Sequence, residues 1–263
     1  MSPDPFFWYA LVLKVAMTAT IVVVVSVVAE RSGPFIAALP TAASATYIIL
    51  AVEHPPAFIA ASAIGSMAAN AAVAIFALTY AALAQRRGVV LSLAVATFAW
   101  FAVTAALRLV EWTAAATLVL NALVFAFTIP LPARYRDAAV PRDAVKRTRY
   151  DLPLRAAAVA LVVAAVTTAS HWIGSFASGV FAVFPIVMAS FIVIMHPRAG
   201  GKPAAAVLAH AQPALVGLAL GFLGVHSLAE RIGVWWSLAI GLAITMAWSA
   251  ALWIARRARL RLV

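Results

Sequence analysis

Apolar runs of about 18 residues or more, the length a helix needs to cross the hydrocarbon layer of a membrane, recur along most of this 263-residue chain. No other feature narrows the possible folds as far. Inside lipid every backbone N–H and C=O must be bonded within the chain, which leaves helices and closed barrels. Transmembrane strands would show short alternating segments, and the runs here do not alternate. The side chains are 66% hydrophobic and 10% charged, with a mean hydropathy of +1.05. A soluble domain could not cover that much apolar surface with polar groups. The expectation is an all-α polytopic membrane protein whose first partner is the lipid bilayer.

Nine spans are predicted, at 6–29, 35–52, 57–84, 89–107, 112–129, 154–172, 176–195, 204–225 and 233–254. The stretch 89–129 is too long for one helix and carries Arg108 and Glu111 near its middle. Two spans with a polar turn fit it. Charge gives the orientation. The formal net charge is +11, which in a soluble chain would suggest nucleic acid. Here the cations collect on one side of the membrane instead. With nine spans and the linker 132–153 in the cytoplasm, every Lys and Arg except Lys14, Arg108 and Arg231 falls on the linker's side. Merging 89–129 into one span would spoil that pattern. The N-terminus is therefore expected outside and the C-terminus inside, in a cell (inner) membrane, with no nucleic-acid partner. "MSPDPFFWYALVLK" lacks a basic leader and is interrupted by a lysine, so it reads as a retained first span. Cysteine is absent, which excludes disulfides, thiolate chemistry and cysteine metal sites.

The chain also repeats itself. His54-Pro55 in "VEHPPAF" returns as His196-Pro197 in "IMHPRAG", 142 residues on. With 5 His and 14 Pro in the chain, chance gives about 0.3 such pairs. "LVLKVAMTATIVVVVSVVAERSG" (11–33) lies over "LPLRAAAVALVVAAVTTASHWIG" (152–174) without a gap, aligning Lys14 with Arg155 and Gly33 with Gly174. "RRGVVLSLAV" (86–95) lies over "RIGVWWSLAI" (231–240). The offsets of 141, 142 and 145 keep one order. These matches divide the chain into a first four-helix repeat (1–108), a connecting helix with the basic linker (109–153) and a second four-helix repeat (154–263). An odd number of spans separates spans 1–4 from spans 6–9, so the second unit enters the membrane inverted. Each His-Pro pair is expected to stop one helix and start the next, because the residue before proline is pushed out of helical geometry.

Polar groups inside lipid are costly and point to function or to helix contacts. Pro40, with Thr41 and Ser44, lies in span 2; Pro185, with Ser190, lies in its repeat partner, span 7. Paired broken helices near mid-membrane mark the sites of many transporters. Asn70, mid-span, is matched at offset 142 by Gln212, which precedes Pro213. These residues are the expected substrate site, with Lys14 supplying positive potential. His210 is the candidate for proton coupling. Asn121 reads as a tie between helices. No Asp or Glu lies mid-span, which disfavours coupling through a buried carboxylate. No HExxH motif appears, and no metal site or cofactor is expected. "GSFASGV" (174–180) places Ser178 before Gly179 but lacks Gly-x-Ser-Gly, so an intramembrane hydrolase with Ser178 and His210 is disfavoured and no enzyme activity is expected.

The expected function is a transporter or permease that moves a small solute, an organic anion or a neutral polar molecule, by alternating access between inverted repeats. A channel and a non-transporting membrane subunit are the alternatives. A homo-oligomer is compatible with each.

Overall fold

The computed structural model describes residues 20, 41–136, 138 and 151–260. Among them run the helices α1 (Thr41–Glu53), α2 (Pro56–Leu83), α3 (Val89–Leu107) and α4 (Ala114–Thr128), the last followed by a 3-10 turn at Leu131–Tyr135. After the linker come α5 (Asp151–Ala182), α6 (Ile186–Ala199), α7 (Gly201–Ala211), α8 (Ala214–Ile232) and α9 (Val234–Leu260). The described residues contain no strand. Six helical stretches are long and apolar enough to cross a membrane: Pro56–Leu83, Val89–Leu107, Ala114–Tyr135, Ala156–Ala182, Ala214–Ile232 and Val234–Ala255. The protein is a polytopic helical membrane protein. Predicted span 6–29 falls outside the described residues, apart from Thr20, and 35–52 is described from residue 41.

Local chemistry sets the boundaries. His54 and Pro55 end α1 and begin α2, with Pro55 extended at φ −69°, ψ 163° and Pro56 in the first turn. The polar turn after α3 forms as expected, and Thr113 caps α4 by accepting a hydrogen bond from the Ala116 N–H. Gly174, at φ 79°, breaks α5 where one predicted span ends and the next begins.

Three expectations need correction. His196-Pro197 does not end a helix: α6 runs through Pro197 to Ala199 and stops at Gly200, whose φ of 89° suits glycine alone. Predicted span 176–195 is interrupted at 183–185, between α5 and α6. Pro185 cannot donate to the Phe181 carbonyl, and the Phe184 N–H takes that carbonyl instead at 3.0 Å. Predicted span 204–225 is α7 and α8, bent at Gln212-Pro213.

α2 is the axis of the bundle. It packs against α3, α4, α5, α7 and α8, and 83% of its apolar window is buried inside the protein, against 22% for α3 and 17% for α9. Small side chains let the neighbours come close. A Cβ at Gly65 would collide with the Phe176 carbonyl, and one at Gly179 with the Ser62 carbonyl, so α2 and the end of α5 cross backbone to backbone. Gly221 and Gly241 make the same reciprocal contact between α8 and α9, and Gly217 lies against Trp248. The small-residue run 217–221 therefore serves packing.

The α7–α8 pair lies antiparallel along α2. Gly201 meets Ala84, Gln212 bonds to Ala74, Leu215 to Asn70, and His226 to Ala60. Contacts elsewhere sort the helix ends into two groups. At one end His54 bonds to Ser170, and Arg108 and Glu111 share a pocket with Ile173. At the other, Tyr80 bonds to His196 and Arg198 forms a two-pronged ion pair with Asp151 at 2.6 and 2.7 Å.

Candidate functional site

At mid-length α2 carries a belt of polar contacts. Asn70 is fully buried. Its Nδ2 donates to Asn121 Oδ1 on α4 at 3.0 Å and to the Leu215 carbonyl on α8 at 2.9 Å. Asn121 in turn donates to the Met67 carbonyl of α2 at 2.7 Å and to Thr117 of its own helix at 2.8 Å. Gln212, 1% exposed, donates to the Ala74 carbonyl at 2.9 Å. Every one of these amide nitrogens faces a carbonyl oxygen, so the amide orientations follow from the contacts: flipping Asn70 or Gln212 would set oxygen against oxygen. One consequence is that Asn70 Oδ1 and Gln212 Oε1 are buried acceptors with no hydrogen-bond partner among the described residues. A lone buried acceptor costs about 1–3 kcal/mol. Two of them lie along the middle of α2 in a largely apolar core.

The belt has an internal relation. A shift of 142 residues takes Asn70 to Gln212, and takes Leu215 to Val73, one residue from the Ala74 that Gln212 actually bonds. The two bonds are reciprocal, each matched amide gripping the partner helix.

Pro213 adds the backbone component. It has no N–H for the Ala209 carbonyl. Arg136, just beyond the 3-10 turn, supplies the missing donor: its Nε reaches Ala209 O at 3.2 Å and its Nη2 reaches Ile129 O, at the end of α4, at 3.1 Å. A cation bonded to carbonyls at a helix C-terminus is also favoured by the helix dipole. Trp248 Nε1 donates to the Pro213 carbonyl at 2.9 Å. The bend is thus held from two sides. Arg136 was not singled out in the sequence; the signal was there in Pro213, which guarantees a donor-less carbonyl four residues earlier.

The other expected residues are dispersed. Pro185 caps the start of α6. Ser190 is buried on the same helix and donates to the Val187 carbonyl; neither shares a hydrogen bond with the amide belt. His210 Nδ1 meets the Ala206 carbonyl one turn back on α7. Ser178 donates to the Gly174 carbonyl across the kink. Thr41 begins α1 and Ser44 follows in it; their side chains, together with Pro40 and Lys14, lie outside the described residues.

No protein-family model matches the chain, and no curated protein or solved structure matches it either. Amides, a bent helix and unfilled acceptors can bind hydrogen-bond donors; they provide no nucleophile and no general base.

Proposed function

We propose that this protein is a membrane carrier for a small polar solute, working by alternating access between two inverted four-helix repeats, spans 1–4 and 6–9, joined by span 5 and a basic cytoplasmic linker. The observation that carries the reading is the reciprocal pair Asn70–Leu215 and Gln212–Ala74. In an inverted repeat the pseudo-two-fold axis lies in the membrane plane, so matched residues near mid-depth meet while matched residues at span ends separate. The second pair of matched segments behaves accordingly. Gly88 and Gly233 each precede a helix, with Ser92 N and Ser237 N both bonded to the glycine carbonyl at 3.1 Å. Yet they follow α2 and α8, which run in opposite directions, and so lie at opposite ends of the bundle.

The two unfilled carbonyl acceptors favour a solute that donates hydrogen bonds, such as a neutral amide, alcohol or amine-bearing molecule, over the organic anion that Lys14 would suit. Purified protein in liposomes, offered a mixed panel of metabolites, tests the class. Saturable uptake accelerated by the same solute on the far side supports a carrier. Flux that rises without saturation supports a channel, and absence of any flux a non-transporting subunit.

Topology is tested separately, and the chain lacks native cysteine. Cysteines placed at 54 and 228 should react with a membrane-impermeant thiol reagent added to intact cells, and one at 140 should not. Labelling at 140 would reverse the orientation. Labelling of 54 and 228 on opposite sides would remove the inverted repeat.

A further inference from the structure

We propose that Glu53, His54 and His171 form a binding site for a divalent transition metal, Zn2+ being the natural probe, at the end of the bundle where α1 meets α5. Glu53 is the last residue of α1, His54 follows it, and His171 lies three residues before the Gly174 break in α5. One ligand atom from each lies within 4.8 Å of the other two. His171 Nε2 is 3.9 Å from Glu53 Oε2, and the two imidazole rings are 4.8 Å apart. Two imidazoles and one carboxylate make a donor set that Zn2+ and its neighbours in the first transition row accept, with water as the usual fourth ligand of such a set. Magnesium and calcium prefer oxygen donors.

Two features show a prepared site. His54 is held in place: its Nε2 is 2.8 Å from Ser170 Oγ and its ring stacks on Phe58 at 3.8 Å. An acceptor on the second ring N–H is the usual way a ligating histidine is oriented, and Ser170 Oγ, whose own proton goes to the Thr167 carbonyl at 2.6 Å, is such an acceptor. The site also sits at the C-terminus of α1, where the helix dipole favours a cation. Ligands about 2.1 Å from a zinc ion lie about 3.4 Å apart in a tetrahedron, so the cluster closes by roughly an ångström on binding. His171, with 53% of its side chain exposed, has the freedom to make that movement, while Glu53, at 13%, is the more enclosed partner.

The experiment uses the full chain, purified in detergent without a histidine tag. Zn2+ should bind saturably at one ion per chain, and Co2+ should give the visible absorption of a site with nitrogen ligands and low coordination. His171→Ala and Glu53→Gln should each weaken Zn2+ binding at least ~100-fold, and Ser170→Ala, which removes only the orienting hydroxyl, ~10-fold. His226→Ala, bonded to the Ala60 carbonyl, should leave binding unchanged. A simple ion pair between His171 and Glu53 predicts no saturable Zn2+ binding by the unmodified chain, and that result overturns the proposal without any variant. Binding that persists in His171→Ala, or that Mg2+ displaces at equal concentration, overturns it as well.

Discussion

Gly65→Val will yield no folded, monodisperse protein, and Gly179→Val will fail in the same way. The two glycines sit on the same crossing of α2 and α5, and each new Cβ would land on a backbone carbonyl of the partner helix, Phe176 for one and Ser62 for the other. A flexible side chain could turn aside; a helix backbone can yield only by moving the whole helix. Separation of the helices would also break the 2.7 Å bond from Ser66 Oγ to the Gly179 carbonyl and loosen the 2.8 Å contact between Ser66 and Tyr47. Overpacking a core costs about 1–3 kcal/mol even where neighbours can adjust. Here they cannot, and a native protein has only about 5–15 kcal/mol in hand. Gly88→Ala is the control: that glycine has φ −69° and nothing near its Cβ position, so the variant should elute and melt as the parent does. A Gly65→Val protein with an unchanged melting temperature would show that α2 is not clamped at this crossing.

The second large effect is the one expected of the proposed carrier. Asn70→Ala should raise the KM for the solute or lower its maximal flux by about tenfold, the factor that corresponds to ~1.4 kcal/mol, while the protein still folds and inserts. Gln212→Ala should act in the same direction. Stability should fall as well, by a comparable amount. Hydrogen bonds between membrane helices are worth roughly 1 kcal/mol each, and Asn70 donates two to Gln212's one. Asn70→Ala should therefore destabilise more than Gln212→Ala, with both still monodisperse. Variants that lose stability in that order and keep full transport per folded molecule would make the amide belt a fastening and remove it from the solute path.

Much of this fold is legible in the sequence because lipid demands a simple code. Apolar length gives the helices, and Pro55, Gly88, Thr113 and Gly174 sit where helices start or stop. The His196-Pro197 expectation failed because proline in a helix removes one hydrogen bond and need not end it; the left-handed Gly200 four residues on is the stronger terminator. A break at Pro185 was expected and is met locally by the Phe184 N–H; the bend at Pro213 was not expected, and the bonds that hold it come from groups far away in sequence, Arg136 and Trp248. The same distance hid the cluster of Glu53, His54 and His171, whose two halves are over a hundred residues apart, and no metal site was expected. Asn70 and Gln212 were both singled out in the sequence as polar groups at mid-span, whereas Asn121, read as a tie between helices, gave no sign that its partner was Asn70 itself. Burial of α2 could not be read at all, since a helix apolar on every side looks the same whether lipid or protein surrounds it.

That burial bears on how the molecule is made. A helix that ends at the centre of the bundle is synthesised before most of what will surround it, and it enters the membrane before either hydrogen-bond partner of Asn70 exists. Its hydropathy of 1.7 is enough to keep it there, but the amide has no partner until α4 delivers Asn121, and its second acceptor, on Leu215, is made 145 residues after it. Assembly is thereby ordered by the chain itself. The first amide contact can form between early helices and give the nascent α2 a polar neighbour, and only the arrival of α8 completes it. A ribosome stalled between these points should hold an intermediate in which α2 and α4 already cross-link through cysteines placed one turn from Asn70 and Asn121, both asparagines being kept.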